Sequence, residues 1–309
     1  QGYIIVVQDV RGRGTSEGRF ETLEHESADG ADTIAWCSAL PGSTGAVGMY
    51  GFSYQGMVQL LAAAEAGPAL KAIAPSMIGW KLRDEVVAEG GAPLLAGTIG
   101  WAAQVGADTA RHERDAEAYE ALRAAANALP LGGPVTARPD VLTRFAHYHH
   151  YYRWLEATED DDLWRRIAPA ARFETLATRE LPMLFVGGWY DFTLAGTLAS
   201  WAAMHAAQPD LARLVVGPWA HLPWGRIVGG QDFGPDANSE IDLIQLAWFD
   251  HWLKGRPLTL PPLRLFDLGT RRWVDLATPS QAGRTLYLAG DGRVSMNSEA
   301  GQLLDTLRG

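Results

Sequence analysis

Apolar and polar positions fall into two textures along the chain. Residues 2–9, Gly-Tyr-Ile-Ile-Val-Val-Gln-Asp, hold a short β-branched run ending in polar residues, the pattern of a strand buried in a parallel sheet. After the glycine-rich loop 11–18, Ala28, Ala31, Ile34 and Ala35 recur near helical spacing and predict a helix over 24–39, stopped by Pro41-Gly42. Strands follow over 45–50 and 70–75, with a helix of small apolar residues, 57–66, between them. From 80 to 176 the alternation stops and the texture is helical, most clearly over 108–126 and 160–167. It resumes with strands at 184–187 and 211–217 and helices at 197–207 and 238–253.

Strands alternating with helices on both sides of a helical stretch predict an α/β core with an inserted cap. The core is divided into 1–79 and 177–255, with the cap at 80–176. Beyond Pro257, short strands at 263–268, 273–276 and 285–288 have no helix between them, so 256–309 reads as the start of a separate β domain.

Ser53 lies where a predicted strand turns directly into a predicted helix, the context of a nucleophile elbow. The usual pattern is Gly-x-Ser-x-Gly. Here the second glycine comes one residue late, at Gly56, after an outward-pointing Gln55. A glycine-rich turn with a passive serine is the alternative. An elbow requires an acid and then a histidine beyond later strands. Residues 184–191 end on Asp191, and residues 214–221 end on His221. In those roles His221 takes the Ser53 proton and returns it to the leaving group, while Asp191 orients the imidazole. The backbone N–H of Tyr54 is placed to bind the developing oxyanion. Trp80, Trp189, Tyr190 and Phe192, near strand ends, are candidates for an apolar pocket wall, with ordinary packing as the alternative. His147-Tyr148-His149-His150 lacks a carboxylate or cysteine at ligand spacing, so cap packing is expected there and no metal site. Asp9 and Arg11 read as turn-holders and Arg83-Asp84 as an ion pair.

Gly51-Phe52-Ser53-Tyr54-Gln55-Gly56, the run 186–192 (VGGWYDF) and the run 216–221 (VGPWAH) resemble the triad blocks of the CocE/NonD, or cocaine-esterase-like, hydrolases. These are related to the X-Pro dipeptidyl-peptidases and α-amino acid ester hydrolases. Residues 8–18, 161–169 and 248–255 match further blocks. The family typically carries Gly-x-Ser-Tyr-x-Gly, which accounts for the late glycine. The resemblance implies an α/β-hydrolase core, a helical cap, a C-terminal jelly roll and ester cleavage through an acyl-enzyme, without a cofactor. It also implies a second oxyanion donor, a tyrosine hydroxyl on a loop before the opening strand, for which residues 1–309 hold no counterpart. The chain is therefore expected to be a piece truncated at both ends, with a gap in its sheet, and to be insoluble or inactive alone. The amino-ester branch is expected to hold an α-ammonium group with acidic residues just past the catalytic aspartate. Thr193 and Leu194 stand there, which favours plain esters. An X-Pro dipeptidyl-peptidase-like or amide-cleaving enzyme, and a non-catalytic scaffold, are the alternatives.

A net charge of −10, from 26 basic and 36 acidic side chains, argues against nucleic acid or an anionic membrane as a partner; a small-molecule ester is the partner the resemblance implies. No apolar run reaches the roughly 18 residues of a membrane span. Cys37 has no second cysteine to pair with, so it is expected to be a buried apolar residue in a protein of the reducing cytoplasm.

Overall fold

The computed structural model describes residues 2–132 and 136–277, and the backbone of two short strands, Tyr287–Leu288 and Val294–Ser295. Its centre is a six-stranded sheet whose spatial order follows the chain: β1 (Val47–Phe52), β2 (Leu70–Ser76), β3 (Met183–Tyr190), β4 (Ala212–Ala220), β5 (Leu263–Asp267) and β6 (Arg272–Leu276). The first five are parallel, and β6 runs antiparallel to β5. The longer helices are α1 (Glu26–Ser38), α2 (Tyr54–Glu65), α3 (Leu95–His112), α4 (Ala116–Asn127), α5 (Leu194–Ala207) and α6 (Ile241–Lys254).

Both faces of the sheet are covered, and the two-residue period of its strands divides the core. Ile73, Met183, Phe185, Leu214 and Val216 pack with Leu60 and Leu61 of α2 and Trp201 and Met204 of α5. The intervening Ala72, Ala74, Leu184, Val186 and Val215 pack with Ile241 and Trp248 of α6. Helix α1 lies against α2 at a glycine. A side-chain carbon on Gly30 would sit 2.5 Å from Ala62 Cβ, so the two backbones approach more closely than a larger residue permits.

The cap has its own core, in which Ile99 and Ala103 of α3 meet Leu122 of α4, Leu142 and Phe145. The helical run expected over 108–126 is broken, because Asp115 caps α4 by accepting the Ala118 N–H at 2.9 Å. Asp161 does the same for the helix Asp162–Ile167. Arg13 ties the first loop to the cap. Its guanidinium donates to Thr109 Oγ1 at 2.9 Å and the Val105 carbonyl at 3.2 Å, and lies 3.7 Å from the Phe20 ring centre. Arg11 pairs with Asp29 of α1, and Arg83 with Asp84 at 2.9 Å. Cys37, expected to be buried, is only half-buried.

Two further expectations change. Residues 2–9 form no strand: Ile4, Ile5, Val6 and Val7 are exposed. An apolar run becomes a strand only beside a free edge, and no described strand pairs with it. It is held by side chains instead, with Tyr3 donating to Asp250 Oδ1 at 2.7 Å and the Lys254 ammonium 3.4 Å from the Tyr3 ring centre. Similarly, β5 and β6 extend the core sheet, so the core runs past residue 256. Leu214 of β4 donates its N–H to the Pro262 carbonyl at 2.9 Å, starting that pairing. Of the strand expected at 285–288, Tyr287–Leu288 is present, paired with Val294–Ser295; the expected jelly roll otherwise falls outside the described residues. No helix among the described residues is long and apolar enough to cross a membrane.

The Gly30–Ala62 approach yields a stability test. Gly30→Val forces α1 off α2 and is expected to cost about 1–3 kcal/mol, read as a shift in the midpoint of chemical unfolding. An unchanged midpoint would show the approach to be slack.

Candidate active site

Strand β1 ends at Phe52 and α2 begins at Tyr54, so Ser53 alone makes the turn. Its φ of 58° and ψ of −124° lie where residues with a side chain rarely settle. The neighbourhood leaves it no alternative. The Ser53 N–H donates to the Ser76 carbonyl at 2.8 Å, and its own carbonyl accepts from Gly56 and Met57, each at 3.0 Å. Gln59, fully buried, donates to the Gly51 and Gln55 carbonyls at 3.1 and 3.2 Å and accepts the Ala74 N–H at 2.9 Å. It thereby staples the end of β1 to β2. The late glycine also has its reason: a side-chain carbon on Gly56 would lie 2.4 Å from Ile78 Cγ2 and 2.9 Å from the Ser76 carbonyl oxygen. Gln55 is exposed.

Asp191 follows β3 and His221 follows β4, so all three side chains gather at the carboxyl edge of the sheet. His221 Nε2 lies 3.0 Å from Ser53 Oγ, and His221 Nδ1 lies 2.8 Å from Asp191 Oδ1. An ionised carboxylate only accepts, so it fixes the ring proton on Nδ1 and turns the Nε2 lone pair toward the serine. The Asp191 side chain is fully buried. Its second oxygen accepts the Thr193 hydroxyl at 2.5 Å, and the Thr193 N–H reaches Oδ1 at 3.2 Å. Both carboxylate oxygens are thus engaged, Oδ1 by two partners and Oδ2 by one.

Aromatic rings enclose the imidazole. Phe192 lies 4.6 Å from its centre, and Phe52 lies 5.6 Å away, nearly edge-on. Trp224 packs 5.6 Å from Phe52 and donates its indole N–H to the His221 carbonyl at 3.0 Å. Phe192 and Leu222 are exposed beside the histidine and present an apolar mouth.

The other pocket candidates are placed elsewhere. Trp80 is taken up by the core, edge-on to Phe173. Trp189 spends its indole N–H on the Phe266 carbonyl at 2.7 Å, and Tyr190 packs 5.7 Å from Phe233. In the cap, His149 Nε2 lies 3.0 Å from the Leu142 carbonyl oxygen, and His150 Nδ1 lies 3.1 Å from Thr22 Oγ1. Burial, with His149 and Arg13 nearby, drives the His150 pKa down to about 3. Phe52, Thr193 and Trp224 were not foreseen in these roles, although each lies within three residues of Ser53, Asp191 or His221.

The sequence profile of the X-Pro dipeptidyl-peptidase (S15) family matches residues 1–223, a span that holds Ser53, Asp191 and His221. The cocaine esterase of Rhodococcus sp. (strain MB1 Bresler) is 32% identical over 326 aligned positions, covering 100% of this chain and 56% of that protein. The chain therefore spans about half the length of the curated relatives it matches. An aminopeptidase from the marine sediment archaeon Thaumarchaeota superposes with a TM-score of 0.71 at 23% identity, over 94% of this chain and 50% of that one. A CocE/NonD family hydrolase from Staphylococcus aureus does so with a TM-score of 0.58 at 18% identity, over 91% and 44%. These two share the fold, an α/β-hydrolase sheet with helices on both faces. With the family profile running through all three polar side chains, the chain belongs to the X-Pro dipeptidyl-peptidase (S15) family and is kin to the CocE/NonD hydrolases.

Proposed function

We propose that this chain carries the catalytic centre of a serine hydrolase that cleaves carboxylic esters through an acyl-enzyme. The observation that supports it is the unbroken line from Ser53 Oγ through both nitrogens of His221 to Asp191, at 3.0 and 2.8 Å. His221 Nε2 accepts the hydroxyl proton as Ser53 Oγ attacks the ester carbonyl carbon. Buried Asp191, held by Thr193, stabilises the imidazolium that results. Tyr54 opens α2, so its N–H has no acceptor within the helix and is free to donate to the developing oxyanion. Collapse expels the alcohol, which takes the proton from Nε2. Water then repeats the sequence on the acyl-enzyme and releases the acid.

Phe192 and Phe52 offer an apolar wall for the acyl or alcohol group. Uncharged Thr193 and Leu194, the former donating its hydroxyl to Asp191, offer no negative charge to an α-ammonium group, which favours plain esters. The family name and the archaeal aminopeptidase support a second reading, in which the same atoms cleave an amide. The reaction needs no cofactor, and the unpaired Cys37 fits a reducing cytoplasm.

Ser53→Ala is expected to lower turnover of nitrophenyl esters at least about a thousandfold and to abolish labelling by a fluorophosphonate. Labelling that survives the substitution places the nucleophile elsewhere. Thr193→Val strips one donor from the buried carboxylate and should lower kcat about ten- to a hundredfold with KM little changed. An unchanged kcat would mean the hydroxyl does not orient Asp191. Short-chain acyl nitrophenyl esters should exceed X-Pro nitroanilides in kcat/KM by at least about tenfold, a margin of 1.4 kcal/mol; the reverse order supports the amide reading.

A further inference from the structure

Glu26 opens α1 with its carboxylate in the interior, only 5% of the residue being exposed. One oxygen accepts the His25 N–H at 2.9 Å, and the other accepts the hydroxyl of Tyr54. The same phenol oxygen accepts the Leu23 N–H at 3.0 Å. A buried carboxylate is costly unless its oxygens are satisfied. Burial raises the Glu26 pKa, while the Tyr54 hydrogen bond opposes the rise. Burial and the nearby Glu26 push the Tyr54 phenol well up, so it keeps its proton as a donor. Neither group joins the line from Ser53 to Asp191. Tyr54, however, follows Ser53 directly and supplies the oxyanion donor proposed above.

The link joins two points of backbone strain. Leu23, 1% exposed, has a φ of 62°, and Ser53 has a φ of 58°. Strain of this kind persists only where the surroundings hold it, and it gathers at functional sites. The Tyr54 ring lies between Phe20, 6.1 Å away, and Trp101, 6.5 Å away, which limits its swing. The phenol is therefore a tether from the entry of α1 to the first residue of α2.

We propose that Glu26 is a positioning residue for the oxyanion hole: through the Tyr54 hydroxyl it fixes the first turn of α2, so that the Tyr54 N–H stays aimed at the developing oxyanion. The proposal rests on the serine hydrolase reading. Such a contact acts on the transition state and not on bound substrate, so it governs kcat and leaves KM alone. A tether serving only the packing of α1 would change stability with no selective loss in kcat.

The test is made in the full natural protein with Tyr54→Phe, Glu26→Gln, the double variant and Ser53→Ala. Each is checked for fold by circular dichroism and assayed on a nitrophenyl ester well below its Tm. A boronic acid, whose tetrahedral serine adduct places an oxygen in the oxyanion hole, is titrated in parallel. Losing a whole donor costs about a hundred- to a thousandfold, so misplacing one should cost less. Tyr54→Phe is expected to lower kcat about ten- to a hundredfold, hold KM within about twofold and weaken the boronic acid by the same factor as kcat. Glu26→Gln, which keeps an acceptor for the phenol, should lose less, and the double variant no more than Tyr54→Phe alone. If Tyr54→Phe does not fold, the near-isosteric Glu26→Gln carries the test by the same kcat and boronic acid readings. Folded variants with unchanged kcat, or additive losses in the double variant, overturn the proposal while Ser53→Ala remains inactive. Turnover that survives Ser53→Ala overturns the hydrolase reading and this proposal with it.

Discussion

The site depends on one residue held where its backbone is strained. Ser53, at φ 58° and ψ −124°, occupies geometry that costs about 1–3 kcal/mol and relaxes unless its neighbours forbid it. The neighbours do so by hydrogen bonds and by lack of space. Gln59 binds the carbonyls before and after the turn, Ser76 takes the Ser53 N–H, and Gly56 lets α2 touch the end of β2. The strained turn projects the hydroxyl beyond the end of β1 and exposes the first N–H groups of α2 beside it. On the proposed reading, one distortion sets both the nucleophile and its charge-stabilising partner.

The parallel sheet does the rest of the assembly. Ser53, Asp191 and His221 are far apart in sequence but follow strands whose carboxyl ends share one edge. Strands β2, β3 and β4 are largely buried, while the half-exposed β1 is held by its pairing with β2 and by Gln59. The cap is coupled to this core at the first loop, where Arg13 grips α3 and stacks on Phe20, the ring that also packs against Tyr54.

What was legible in the sequence follows from the range of the forces involved. Ser53, Asp191 and His221 could be read because each comes just after a strongly apolar strand, a signal contained within a few residues. Residues 2–9 carried an equally strong strand pattern and form none, since a strand also needs a neighbouring edge, which pattern alone does not supply. The strands at 263–267 and 272–276 were legible as strands but not as core members, because their texture does not say which edge they join. Of four aromatic candidates, Phe192 meets His221, whereas Trp80 is consumed by packing. The Glu26–Tyr54 contact spans 28 positions and leaves no local mark.

The central claim is that Ser53 becomes covalently acylated during turnover. An activated dialkyl carbamate forms a serine adduct that hydrolyses slowly, so it separates acylation from deacylation. Mixed with the full natural protein and followed by nitrophenol release and intact mass, it should give a burst equal to the protein present, with the carbamoyl group on the peptide containing Ser53. Steady ester turnover without a burst, or an adduct on another residue, would contradict the account.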